Sequence, residues 1–246
     1  MTALLRWIGL CVVALLALQL FFVVRIALMT VIDPQSTAFQ RSEAWRLAAT
    51  SEHLRWRQQW LGYEQISDHL KRAVITSEDD GFVEHDGVDW NAIEGAWQKN
   101  EKAQASASRA GQNPRGQGNA KRPPKIVGGS TITQQLAKNL LLAGERTMLR
   151  KGQEFVLTIA LEAMLSKQRI LEIYLNSVEW GEGVFGAEAA AQHYFRKSAS
   201  KLGPMEAARL AVMLPRPKYF ERLPNSAYVA NRAAMIAGRM GNAVLP

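Results

Sequence analysis

Five carboxylates and a histidine fall within ten residues of this chain: Glu78-Asp79-Asp80-Gly81-Phe82-Val83-Glu84-His85-Asp86-Gly87. They follow Ile66, Leu70, Ala73, Val74 and Ser77, whose 3.6-residue spacing predicts an amphipathic helix ending just before the acids. A helix dipole disfavours negative charge at its C-terminus, so the fold gains little by placing carboxylates there. An acid crowded in this way tends to keep its proton more firmly, which suits general-base work. An exposed acidic turn explains the same residues, and His85 alone is as well read as a structural hydrogen-bonder.

A second segment, Gly128 to Asn139, reads GGSTITQQLAKN. Glycines lead into a Ser/Thr-capped helix whose first N–H groups and positive dipole end favour an anion. Thr131, Gln134, Gln135 and Lys138 recur at helical spacing with Asn139 adjoining. They form a stripe of neutral hydrogen-bonders and one cation that suits a sugar-phosphate. A third segment, Arg146 to Glu154, reads RTMLRKGQE. Arg150 and Glu154, four apart, make an ordinary surface ion pair on spacing alone. Three cations beside a carboxylate would instead suit a pyrophosphate.

These groups need elements to hold them. Helical periodicity recurs at Ile132, Leu136 and Leu140, at Phe155, Ile159 and Ala163, and at Ile170, Leu171, Tyr174 and Leu175. Pro204 opens a further helix that Pro215 and Pro217 stop. Alternating β-branched runs are nearly absent, so the expected fold is mainly α. At 246 residues and 48% hydrophobic, the chain can build a real core, which excludes wholesale disorder. Its single cysteine, Cys11, excludes a disulfide framework and a Cys-based zinc site.

From Trp7 to Val24 run eighteen residues without a charge, long enough at about 1.5 Å each to cross a bilayer core. The run exceeds a usual signal-peptide core and lacks a clean cleavage site, so residues 1–32 read as an uncleaved single-pass anchor. Flanking arginines on both sides leave its orientation open. Residues 33–62 form a membrane-proximal segment in which Trp45, Trp56 and Trp60 suit either headgroups or domain packing. Residues 98–125 have no apolar periodicity and read as a basic mobile loop. That loop holds seven of the Lys and Arg residues against one Glu, so it carries +6 of the net +8. The rest of the chain is nearly balanced, and the high pI does not by itself point to nucleic acid.

Taken in order, these segments resemble the glycosyltransferase domain that polymerises lipid II, as found in monofunctional biosynthetic peptidoglycan transglycosylases and bifunctional penicillin-binding proteins. The Glu-Asp…Phe…His-x-Gly pattern is met by Glu78, Asp79, Phe82, His85 and Gly87. The G-x-S-T-I-x-Q-Q-x-x-K-N pattern is met from Gly128 through Ser130 to Asn139, and R-K-x-x-E by Arg150, Lys151 and Glu154. KQRILEIYLN at Lys167–Asn176, Gly181–Lys197 and Glu206–Pro217 also fit.

The resemblance implies a lysozyme-like helical domain at residues 63–246 behind the anchor, with a cleft beside a membrane-dipping lobe. It assigns catalysis to Glu78, as general base, and to Glu154. Substrate contact falls to Asp79, Phe82, His85, Ser130, Thr131, Gln134, Gln135, Lys138, Asn139, Arg146, Arg150 and Lys151. No cofactor is obligatory, although Mg²⁺ or Mn²⁺ is compatible with the pyrophosphate, and no metal-ligating set is assigned. Expected partners are lipid II, the growing glycan strand, undecaprenyl pyrophosphate as product, the cytoplasmic membrane and other cell-wall or division proteins, with no nucleic acid. The catalytic domain is then periplasmic on the inner membrane. Ser198-Ala199-Ser200-Lys201 matches the S-x-x-K of transpeptidases, but no SDN or KTG follows. The alternatives are a lysozyme-like peptidoglycan-cleaving enzyme and an inactive scaffold for anionic polymer.

Overall fold

The apolar N-terminal run folds as one 26-residue helix, α1 (Ala3–Leu28). Almost every side chain on it is exposed; only Phe22 and Ile26 are buried. A helix apolar on all sides and uncovered by protein is what a bilayer solvates. Among the described residues it is the one helix long and apolar enough to cross a membrane. The computed structural model describes residues 3–50, 56–111, 129–142 and 147–246, with the side chains of 106–111 outside the description.

Next come α2 (Ala38–Thr50), the two-residue strand β1 (Arg57–Gln58), α3 (Asp68–Glu78) and α4 (Trp90–Gly111). Thr37 starts α2 through a reciprocal pair, Gln40 N–H to Thr37 Oγ1 (3.0 Å) and Thr37 N–H to Gln40 Oε1 (2.9 Å). α5 (Ile132–Leu141), α6 (Met148–Met164) and α7 (Lys167–Ser177) follow, each N-capped by a hydroxyl: Thr131, Thr147 and Ser166. β2 (Glu179–Gly181) and β3 (Val184–Phe185) then form a small sheet in the order β1-β3-β2, with β1 parallel and β2 antiparallel to β3. α8 (Ala187–Phe195), α9 (Pro204–Met213), α10 (Pro217–Glu221) and α11 (Ala227–Arg239) complete the body. The mainly α expectation holds; the three short strands are the addition.

The core lies where α3, α9 and α11 pack together and where α5 sits between α6 and α7. Leu70, Val74, Leu136, Leu140, Ile170, Tyr174 and Trp180 are buried there. Gly186 is required at the entrance to α8. Its φ is +84°, and a Cβ would come 2.9 Å from the Asn176 carbonyl oxygen.

Two boundaries differ from the sequence reading. Helix α4 continues to Gly111, so the first half of the stretch read as a loop is helical. Its Ala, Gln, Lys and Glu residues are good helix formers, and the missing apolar period reflects a helix largely surrounded by solvent. Residues 112–125 lie outside the described residues. Segment 33–62 is built into the body rather than set apart from it. Gln40 and Leu47 are buried, the Trp56 and Phe185 rings are 4.5 Å apart, and Trp60 Nε1 donates to Glu172 at 3.3 Å. Trp45, at 79% exposed, is the one of the three tryptophans left outward.

Candidate active site

Helix α3 delivers two acids that take different surroundings. Asp79, its C-cap, is buried. One carboxylate oxygen meets His85 Nε2 at 2.9 Å and the other accepts the Ile132 N–H at the start of α5, also at 2.9 Å. The Gly87 N–H donates to His85 Nδ1 at 3.1 Å, so Nε2 carries the proton toward Asp79. The Asp79 partnership, working against partial burial, holds the His85 pKa above its usual value. Asp79 also faces the positive end of α5, where a carboxylate is favourable.

The same junction uses up several residues that the sequence reading gave to substrate. Thr131 accepts from the Gln134 N–H while the Gln134 side chain accepts from the Thr131 N–H, closing a capping box. The Thr131 hydroxyl also donates to the Gly87 carbonyl at 2.6 Å. Phe82 is fully buried beneath the Lys167 ammonium, 4.6 Å from the ring centre. Gly87 cannot be replaced cheaply: its φ is +83°, and a Cβ would lie 2.7 Å from both Thr158 and Glu162. Asp79, Phe82, His85, Thr131 and Gln134 therefore fix how α3 meets α5, through hydrogen bonds made within the protein. Ser130 is exposed just ahead of the cap.

Glu78 has a different set of partners. Its Oε2 accepts a hydrogen bond from Gln135 Nε2 at 3.0 Å, and Gln135 Oε1 accepts from the Tyr174 hydroxyl at 2.9 Å. Burial pushes the Glu78 pKa above the ordinary carboxylate value, with Asp79 adding to it. The Gln135 and Ser77 hydrogen bonds and Arg232 oppose the rise.

Gln135 and Tyr174 belong to the wall of a cavity of about 420 Å³, together with Lys138, Asn139, Arg150 and Glu179. Behind Arg150 stands Glu154, only 3% exposed; it takes Arg150 Nη1 at 3.3 Å and Lys151 Nζ at 2.5 Å. This is no surface pair, because the carboxylate is enclosed and the guanidinium lines the cavity. Arg150 Nε is buried without a hydrogen-bond partner among the described residues.

Each catalytic candidate thus stands one contact behind the cavity wall, Glu78 through Gln135 and Glu154 through Arg150. The structure brings Glu78, Gln135, Lys138, Asn139, Arg150 and Glu154 around one space, and Lys151 is joined to them through its ion pair with Glu154. Arg146 lies outside the described residues. Glu179 was missed by the sequence reading; its one signal is an ionisable residue between Val178 and Trp180 in an otherwise apolar strand. Among the described residues, no group of three or more His, Cys, Asp or Glu side chains could hold a metal ion.

An acid with a raised pKa and a cation-lined cavity in a helical body match the pattern of a group-transfer site for anionic substrates. The chain belongs to the transglycosylase family, whose profile matches residues 46–112 and 115–241. It is 51% identical to a protein of Burkholderia orbicola (strain MC0-3) over 95% of this chain and 87% of that one. A protein of Burkholderia ambifaria (strain MC40-6) is 52% identical over the same shares. One of Burkholderia thailandensis is 50% identical over 98% of this chain and 88% of its own length. All three bear the name biosynthetic peptidoglycan transglycosylase.

Proposed function

We propose that the chain is a peptidoglycan glycosyltransferase of cell wall biosynthesis that polymerises lipid II into β-1,4 glycan strands. Glu78 takes the proton from the 4-hydroxyl of the acceptor sugar. That oxygen bonds to the donor's anomeric carbon with inversion, and the carbon–oxygen bond to undecaprenyl pyrophosphate breaks. Proton removal from an alcohol calls for a base whose pKa lies nearer neutrality than a free glutamate's, and burial of Glu78 supplies it. Charge developing on the departing pyrophosphate is met by Lys138 and Arg150, with Lys151 alongside. Glu154 holds the two cations of its own helix in place. Ser130, Asn139 and Gln135 are the polar contacts on the α5 side, and Arg146 belongs with the cations by its sequence pattern.

The single observation that carries this reading is Glu78, hydrogen-bonded to the Gln135 amide and the Ser77 hydroxyl one contact behind a cavity whose wall holds Arg150, with a guanidinium nitrogen that has no partner among the described residues. A hydrolase of lysozyme type would have no need of those cations. The ionisable side chains lining the cavity are Lys138, Arg150 and Glu179, so any Mg²⁺ or Mn²⁺ would have to be carried mainly by the substrate's own pyrophosphate.

The membrane assignment follows from surfaces. Met148 and Leu149 are 87% and 88% exposed, and Phe155, Val156 and Ile159 on α6 and Trp90 and Trp97 on α4 are also uncovered. α6 packs along α1, where Gln19 and Gln153 exchange two amide hydrogen bonds of 3.0 Å. These faces dip into the outer leaflet of the inner membrane beside a single-pass anchor, with the catalytic body in the periplasm. Lipid II, the growing strand and undecaprenyl pyrophosphate are then the ligands, and other cell-wall or division proteins the neighbours.

The test is to incubate the full chain in detergent with labelled lipid II. Polymer that muramidase digests is expected from the wild type and none from Glu78→Gln. Polymerisation at the wild-type rate by Glu78→Gln would remove the mechanism, and no polymer from the wild type would remove the function.

A further inference from the structure

Glu179 is the acid to which the reaction above gives no task. It opens β2, is 7% exposed and lines the same cavity as Lys138 and Arg150. Its Oε1 has no hydrogen-bond partner among the described residues. The nearest cation, Lys218 Nζ, is 3.6 Å away, beyond hydrogen-bond reach, and is already bound to Glu43 at 2.5 Å. Native folds leave few buried polar atoms in this condition, and each calls for a cause such as a functional role or a bound water or ion.

The surroundings define the ligand's chemistry. A carboxyl repels phosphate, and the cations that attract it stand on α5 and α6. Phe39, Leu214 and Pro217 give this part of the cavity apolar walls, which suit the C–H faces of a sugar ring. Burial pushes Glu179 up to about 7, against Lys218 and the Gly183 backbone N–H and with Glu43, so the carboxyl suits an uncharged hydrogen-bonding partner.

We propose that Glu179 is a sugar-binding residue, its unpartnered Oε1 hydrogen-bonding a hydroxyl or the N-acetyl N–H of an N-acetylhexosamine. The phosphate end of that ligand lies toward Lys138 and Arg150. The inference rests on the transferase reading and adds to it a residue that selects the sugar.

Two variants of the full chain in detergent test it: Glu179→Met, which removes the polar atoms at similar volume, and Glu179→Gln, which keeps an acceptor and a donor. Glu179→Met is expected to melt at or above the wild-type temperature, because a buried acid with one unmatched oxygen has been replaced by an apolar group. It should raise KM for lipid II about tenfold with kcat within about threefold, the signature of lost substrate binding. Inhibition by a β-1,4 N-acetylglucosamine tetramer should weaken equally, and inhibition by farnesyl pyrophosphate should not change. Glu179→Gln should stay within about threefold of wild type on every reading.

An unchanged KM in Glu179→Met overturns the proposal, as does an equal loss of pyrophosphate inhibition. A lowered melt with unchanged KM makes the residue structural and also overturns it. If the wild type polymerises lipid II, any of these results removes Glu179 alone; a wild type that makes no polymer removes both readings.

Discussion

Glu78 ends α3 among neutral partners, while Glu154 on the second turn of α6 is clasped by a guanidinium and an ammonium. Both sit behind the wall of one cavity. Burial acts on Glu78 with nothing nearby strong enough to cancel it, so its charged form is disfavoured and its affinity for a proton rises. At Glu154 two cations within 3.3 Å answer the carboxylate directly. The comparison separates a group poised to accept a proton from one poised to hold positive charge in place, which is how two acids of one type divide a reaction. Asp79 adds a third case. One residue from Glu78, it has both oxygens engaged by His85 and Ile132, and its work is to join α3 to α5.

The sharpest way to break the comparison is Glu78→Gln. Removing a general base is expected to lower kcat by about a thousandfold in lipid II polymerisation. A raised folded-state pKa contributes stability below the ordinary carboxylate pKa and loses it as pH rises through the folded value. Above the folded value the wild type therefore carries the cost of an ionised, partly buried Glu78. The Gln variant should melt at or above it in a scan followed by circular dichroism; a clearly lower melt would make Glu78 a structural acid.

Glu154→Gln should behave in the opposite sense on stability. It leaves Arg150 enclosed without its counter-charge, so the melt is expected to fall and kcat to drop by about a hundredfold as the cations lose their position. An unaltered melt would mean that the clasp contributes nothing. Asp79→Asn tests the third case: a loss of about 1–3 kcal/mol in urea unfolding, with the folded fraction keeping about a tenth of its activity. If it were instead as inactive as Glu78→Gln and fully stable, Asp79 would belong to the chemistry.

The smallest effect concerns pH. Ionised Glu78 is the active form, so the acid limb of kcat/KM should lie above the range of an ordinary glutamate. Gln135 stabilises that charge, and Gln135→Met should move the limb to still higher pH while lowering the plateau, because a substrate contact goes with the amide. A limb that stays put would show that the amide does not tune the base.

Much of this was legible in residue order. The helical period along Ile66–Ser77 placed Glu78 at a helix end, the Ser/Thr cap ahead of Ile132 announced α5, and the period along Ile170–Leu175 announced α7. The polar stripe of α5 was read correctly as a stripe but not in its parts. Gln135, Lys138 and Asn139 reach the cavity, whereas Thr131 and Gln134 turn back on their own backbone. Spacing reports which residues share a face of a helix; it does not report what that face meets. The helix through residues 98–111 went unread because a helix in solvent has no apolar period to reveal it.

The sequence alone determined the mainly helical class, a first helix able to cross a membrane, and the order of the acid and cation segments, because local periodicity, caps and hydrophobic length depend on neighbours along the chain. Tertiary structure alone decided that Glu78 keeps a raised pKa while adjacent Asp79 is consumed as a joint. It also turned Arg150 and Glu154 from a surface pair into an enclosed one, and set Glu179 in the same cavity from a distant strand. Burial and electrostatic environment are properties of packing between segments, and no short window of sequence contains them.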